Sequence, residues 1–443
     1  MSDISIDFST ITGSIKPMHG VNNGPVAYGS LLNVSRFYRE LGVPYVRLHD
    51  PNWPHPREVD VPQIFPDFSK DPADPASYDF RRTDDYLASI LDTGARLFYR
   101  LGVSIEHTAR KYYTAPPADF EKWTQICLGI IRHYNHGWAD GFHHDIRYWE
   151  IWNEPDNGDG DCMWSGTSEQ YFALYRTAAT AIKAFDPNLK VGGYAATSGF
   201  PDFTRAFLDI CRREELPLDF FSWHAYTDDP GDIARLAWET KQMLDEHGFG
   251  HVESWLNEWN CSPGDWSRAF SRSGEEEYKR QAFTRFRSAE AASFVTALLL
   301  TMQELPIDFA TYYDGQPGEW FCGLFDNYGV PQKPYYGFKA FTELVQCGRK
   351  VHVELDPKKL YCCAARGEEG DGAVVVSNMS DNPVANRLRL SGLPAAGYTI
   401  EQYLLDNEHD LAKVITVTGT GEALELSYEM AGHSVVLYRV RRR

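Results

Sequence analysis

Several things are missing from this 443-residue sequence, and each gap removes a class of function. It has no cationic excess: 43 Lys and Arg stand against 62 Asp and Glu, for a formal net charge of −19. Nucleic acids and anionic membranes are bound through basic patches, so neither is expected as a partner. It has no apolar run long enough to cross a bilayer. The opening Met1-Ser2-Asp3-Ile4-Ser5-Ile6-Asp7 has no apolar signal-peptide core, and a cytoplasmic protein is the expectation. The cysteines at 127, 162, 211, 261, 322, 347, 362 and 363 form no CxxC pair and no zinc pattern. They read as buried thiols, with Cys362 and Cys363 pointing to opposite faces of a strand. No carboxylate cluster accompanies His133, His136, His143 and His144, so they read as solvated and no metal is expected. Neither GxGxxG nor GxxxxGK[ST] occurs after the first apolar run, so no nucleotide cofactor is expected either.

What is present is aromatic and periodic. Aromatic residues make up 14% of the chain, enough to line a sugar-binding cleft as well as a core. Short apolar runs at 15–22, 45–49, 95–101, 146–152, 189–194, 219–226, 252–259 and 307–313 alternate with longer amphipathic segments. In the segment after 95–101, Phe120, Trp123, Cys127, Ile130, Ile131 and Tyr134 fall on one helical stripe. Eight such units predict an α/β fold, a (β/α)8 barrel over residues 15–347. A doubly wound open sheet is the competing fold. After Gly348 the pattern changes to short runs bounded by Gly, Asp and Asn. That change predicts a β-sandwich accessory domain over 348–443, joined by an N-terminal strand at 2–10.

Active sites on such barrels lie at the C-terminal ends of the strands. There the fourth run ends Glu150-Ile151-Trp152-Asn153-Glu154-Pro155, and the seventh ends Asn257-Glu258-Trp259-Asn260. Two glutamates at strand ends, on opposite sides of one mouth, match what glycosidic cleavage needs. One carboxylic acid protonates the leaving oxygen, and a second carboxylate attacks the anomeric carbon or activates water. Arg47 is a candidate permanent cation beside Glu258. His224 and Tyr226 share a strand face and could bond substrate or Glu258, although His224 reads equally well as a structural histidine. His49 and Asp50 are candidate hydroxyl ligands, and Trp320 is a candidate stacking ring that core packing would explain nearly as well.

These motifs resemble glycoside hydrolase family 39, which includes β-xylosidases and α-L-iduronidases. The stretch 150–155 is similar to that family's acid/base motif, and 257–260 to its nucleophile motif, where E-Y-N is common. Val46-Arg47-Leu48-His49-Asp50 is similar to its second-strand R-x-H-D, and Trp223-His224-Ala225-Tyr226 to its sixth-strand H-x-Y. The resemblance implies a retaining mechanism with Glu154 as acid/base and Glu258 as nucleophile. It also implies that Asn153 hydrogen-bonds the sugar 2-hydroxyl. The expected partner is a small oligosaccharide or glycoside, with β-xylosides first. Another specificity within the family, or a catalytically silent glycan-binding protein, is the alternative. The loop 51–79 and the region 312–320 depart from the β-xylosidase pattern, and the loops 51–79 and 314–328 are expected to wall off one end of the cleft. Oligomeric state is not legible in the sequence.

Overall fold

A computed structural model describes residues 2–52, 57–157, 163–197, 201–321, 323–355 and 360–443. Eight parallel strands close into a barrel. In chain order they are Gly20–Asn22, Tyr45–Leu48, Arg96–Leu101, Tyr148–Ile151, Lys190–Ala196, Phe220–Tyr226, Glu253–Asn260 and Phe309–Tyr312. All eight expected runs supply a strand. The first is much shorter than expected, because residues 15–19 form no part of it and Ile15 instead donates its N–H to Gly348.

Helices follow for reasons visible locally. Phe120–His136 is capped by Asp119, whose carboxylate accepts from Lys122 N–H, and it ends at Gly137 with φ 70°. Ser168–Phe185 opens with a full capping box between Thr167 and Gln170. Ala289–Thr301 is buried on nearly every side, because it lies between the barrel and the C-terminal sheet.

That sheet has nine strands, and Ser2–Ser14 sits inside it. It runs antiparallel to Arg349–Leu355 and parallel to Val384–Ser391. Cys363, Ala365, Val375 and Leu437 join the barrel core, whereas Ile4, Ile6, Val374, Val436 and Tyr438 form a separate sandwich core. Cys362 packs against the sandwich core, so the two adjacent thiols do face opposite ways. The strand Asp410–Gly419 was not anticipated. The six cysteines described are free thiols, and Cys162 and Cys322 lie outside the described residues. Among the described residues, no helix is long and apolar enough to cross a membrane.

Candidate active site

Arg47, from the second barrel strand, is fully buried, and each of its three nitrogens donates a hydrogen bond. Nε donates to Glu150 Oε2 at 2.8 Å. Nη1 donates to Glu258 Oε1 at 2.7 Å and to Asn22 Oδ1 at 3.1 Å. Nη2 donates to Asn153 Oδ1 at 2.6 Å and lies 2.7 Å from Glu150 Oε2. Burial disfavours the cation, but Glu150 and Glu258 outweigh it and hold the guanidinium above its ordinary value.

Glu258 faces the same interior because its strand bulges. Leu256 pairs with Trp223 and Glu258 with the next residue, His224, so the ladder shifts by one at Asn257. The bulge turns both Asn257 and Glu258 inward, where strict alternation would aim one of them out. Tyr226 donates its hydroxyl to Glu258 Oε2 at 2.8 Å. Two donors from different strands thus fix the two carboxylate oxygens.

Glu154 approaches from the other side of the mouth. Trp152 and Glu154 both have positive φ, 73° and 46°, which re-aims the chain as it leaves the fourth strand. Non-glycine residues held there cost about 1 kcal/mol or more each, and such strain clusters at functional sites. Oε1 of Glu154 lies 2.6 Å from His224 Nδ1, and the pair shares a hydrogen. Burial raises the Glu154 carboxyl to about 7, against the opposing pull of Arg47 and Asn157. Burial also pushes His224 down to about 4, which leaves its imidazole neutral near pH 7.

Beside Glu258, His49 Nδ1 accepts from Arg100 Nε at 3.2 Å, so Nε2 carries the hydrogen. That nitrogen lies 3.4 Å from Asp50 and 3.7 Å from Glu258. Asp50 accepts from Ile105 N–H and Tyr313 hydroxyl, and burial raises its carboxyl to about 7. Ligand atoms of Glu154, His224 and Glu258 lie within 4.8 Å of one another. A cation there would sit against the permanent charge of Arg47, so the arrangement favours a polar neutral ligand.

The structure therefore gathers Arg47, His49, Asp50, Asn153, Glu154, His224, Tyr226 and Glu258 around one mouth. Trp320 is different: its ring packs edge-on against Phe283, with Lys279 over it. Among the described residues, Trp266, at 5.2 Å, and Phe321, at 5.8 Å, reach Tyr226. Trp266 belongs to the long segment 261–288 after the seventh strand, and it is 43% exposed. Phe270 of that segment lies 6.4 Å from His107, which follows the third strand. Strands three and seven are diametrically opposed, so this contact spans the mouth. Residues 53–56 and 322 of the two loops expected to wall the cleft lie outside the described residues. Sequence reasoning also passed over Glu150, Asn257 and Asn22. His133 is buried against Asp84 and the Trp138 carbonyl rather than solvated.

A model of the family described as Glycosyl hydrolases family 39 matches residues 8–258, more than half of the chain. The chain belongs to this family. Among curated proteins, a β-xylosidase of Caldicellulosiruptor saccharolyticus is 27% identical over 68% of this chain and 64% of its own length. A β-xylosidase of Geobacillus stearothermophilus is 27% identical over 60% of this chain and 56% of its own. The matches therefore span less than two thirds of either relative. A glucosidase from Croceicoccus marinus shares the fold over 100% of this chain and 99% of that one, with TM-score 0.84 and 23% identity. The family match over residues 8–258 takes in the strand ends that carry Glu154 and Glu258.

Proposed function

We propose that this family 39 protein is a retaining glycoside hydrolase that cleaves small oligosaccharides by double displacement, with β-xylosides as first substrates. One observation carries the reading: oxygens of Glu154 and Glu258 lie within 4.8 Å of each other, and their environments differ. Retaining enzymes hold their carboxyl groups about 5–5.5 Å apart, and inverting ones roughly 6.5–9.5 Å. Glu258, fixed by Arg47 and Tyr226, is the nucleophile. Glu154, raised to about 7, keeps a proton for the leaving oxygen and later takes one from water.

The supporting residues follow from the same geometry. Asn153 gives its amide oxygen to Arg47, which leaves the NH2 group as the donor for a sugar hydroxyl. His49 and Asp50 meet hydroxyls on the Glu258 side, and Trp266 is a better stacking ring than Trp320. The names of the two curated relatives support β-xylosides as the first substrates to test.

The test is hydrolysis of a panel of nitrophenyl glycosides, with the first-formed anomer followed by NMR. Turnover of a β-xyloside with retained configuration is expected. An inverted product would contradict double displacement, and no turnover of any glycoside would contradict hydrolysis.

A further inference from the structure

The fourth strand carries a second buried glutamate that the reaction does not touch. Glu150 is fully buried, and its carboxylate accepts from three strands. Arg47 Nε donates to Oε2 at 2.8 Å, and Nη2 forms an ion pair with it at 2.7 Å. Ser222 Oγ and Asn257 Nδ2 fill Oε1, each at 2.6 Å. No acceptor site is left for a substrate. The guanidinium is planar and rigid, so holding its Nε–Nη2 edge on Glu150 fixes the direction of every remaining N–H. Nη1 then meets Glu258, and Nη2 also meets Asn153.

We propose that Glu150 is a positioning residue: it aims Arg47 at Glu258 and Asn153 and cancels one unit of its charge. This rests on the hydrolase reading above. The charge count shows why cancellation matters. Before attack, Arg47, Glu150 and Glu258 sum to one negative charge, with Glu154 and His224 neutral. Attack forms the bond from a Glu258 oxygen to the anomeric carbon and breaks the bond to the leaving oxygen, which takes the Glu154 proton. The Glu258 ester is then neutral, and Glu154 carries the negative charge. The buried set keeps its sum of minus one, so the charge passes from one carboxylate to the other. With Glu150 neutral, Arg47 would bind the Glu258 carboxylate too strongly and weaken it as a nucleophile. It would also draw the proton off Glu154.

Other groups facing this set must be counted. From the second strand, His49 and Asp50 lie beside Glu258. From the third, Arg100 holds His49. From the sixth, His224 and Tyr226 touch Glu154 and Glu258. From the helix Ser168–Phe185, Tyr171 feels Glu150. Past Glu154, Asp156 feels Glu154, and Asn157 bonds it. None of these replaces the charge that Glu150 supplies directly against Arg47.

The test compares Glu150→Gln and Glu150→Asp with the parent protein by full kcat/KM profiles against pH, using p-nitrophenyl β-xyloside or whichever nitrophenyl glycoside the parent cleaves. Glu150→Gln removes the charge but keeps the shape. Both limbs of its profile should move to lower pH by roughly two units, as expected for a unit charge several ångströms away at an effective dielectric near 20. Glu150→Asp keeps the charge and shortens the reach. Its profile should stay in place while kcat/KM falls about tenfold or more. A purely structural role lowers the rate at every pH and moves no limb. An unmoved Glu150→Gln profile would overturn the proposal. If Glu150→Gln does not fold, Glu150→Asp still decides: full activity, or a shifted profile, overturns it. A parent protein that cleaves no glycoside sinks the hydrolase reading instead, which keeps the two failures distinct.

Discussion

At the scale of single residues, the account turns on which proton sits where. Glu154 at about 7 must be protonated to start the cycle, so kcat/KM should fall as pH rises through that value. Glu154→Gln should flatten this basic limb. It should also cost roughly 10²–10⁴-fold on substrates with poor leaving groups. Activated aryl glycosides, which leave without help, should lose much less. Equal losses on both substrates would contradict acid catalysis by Glu154. The two glutamates were legible in the sequence because each ends an apolar run with Asn before it and Trp close by. Arg47 was legible as a partner for Glu258. Its second partner, Glu150, was not. A carboxylate within a strand has the same sequence signature whether it meets water or a buried guanidinium, and only the register across four strands distinguishes the two.

At the scale of elements, the strand that opens the chain is a structural member of the last sheet. Ser2–Ser14 fills the gap between Arg349–Leu355 and Val384–Ser391, and Ile6 on it is fully buried. Ile6→Ala should therefore lower unfolding stability by about 2–5 kcal/mol, read by denaturant titration. A change within about 0.5 kcal/mol would show that the strand contributes little. Its alternation Ile4-Ser5-Ile6-Asp7-Phe8 made it legible, because one face is buried and the other is not. The strand Asp410–Gly419 escaped notice for the converse reason. It is an edge strand with Val414 and Ile415 both exposed, so its β-branched run shows no alternation. The bulge at Asn257 was equally hidden, since one extra residue in a ladder leaves no trace in hydropathy.

At the scale of the whole molecule, the (β/α)8 barrel was legible as eight alternating units, but the shape of its mouth was not. The segment 261–288 brings Phe270 to His107 from opposite strands, and Phe270 also packs on Phe321 at 5.2 Å. We propose that these aromatic contacts, which run across the mouth from strand seven to strand three, close one end of the cleft. The protein should release single residues from chain ends. Xylohexaose labelled at its reducing end should lose one unit at a time from the other end, as chromatography would show. Early internal fragments would contradict a blind pocket. Phe270 was not singled out in the sequence, because a long loop does not disclose which opposite loop it meets.

The central claim is that Glu258 attacks the sugar, and trapping it is the most direct test. A 2-fluoro glycoside of the matched sugar, carrying a good leaving group, should inactivate the protein by forming a slowly hydrolysed ester. Peptide mapping by mass spectrometry should then find one label, on Glu258. A label on Glu154, Glu150 or any other residue would contradict the account.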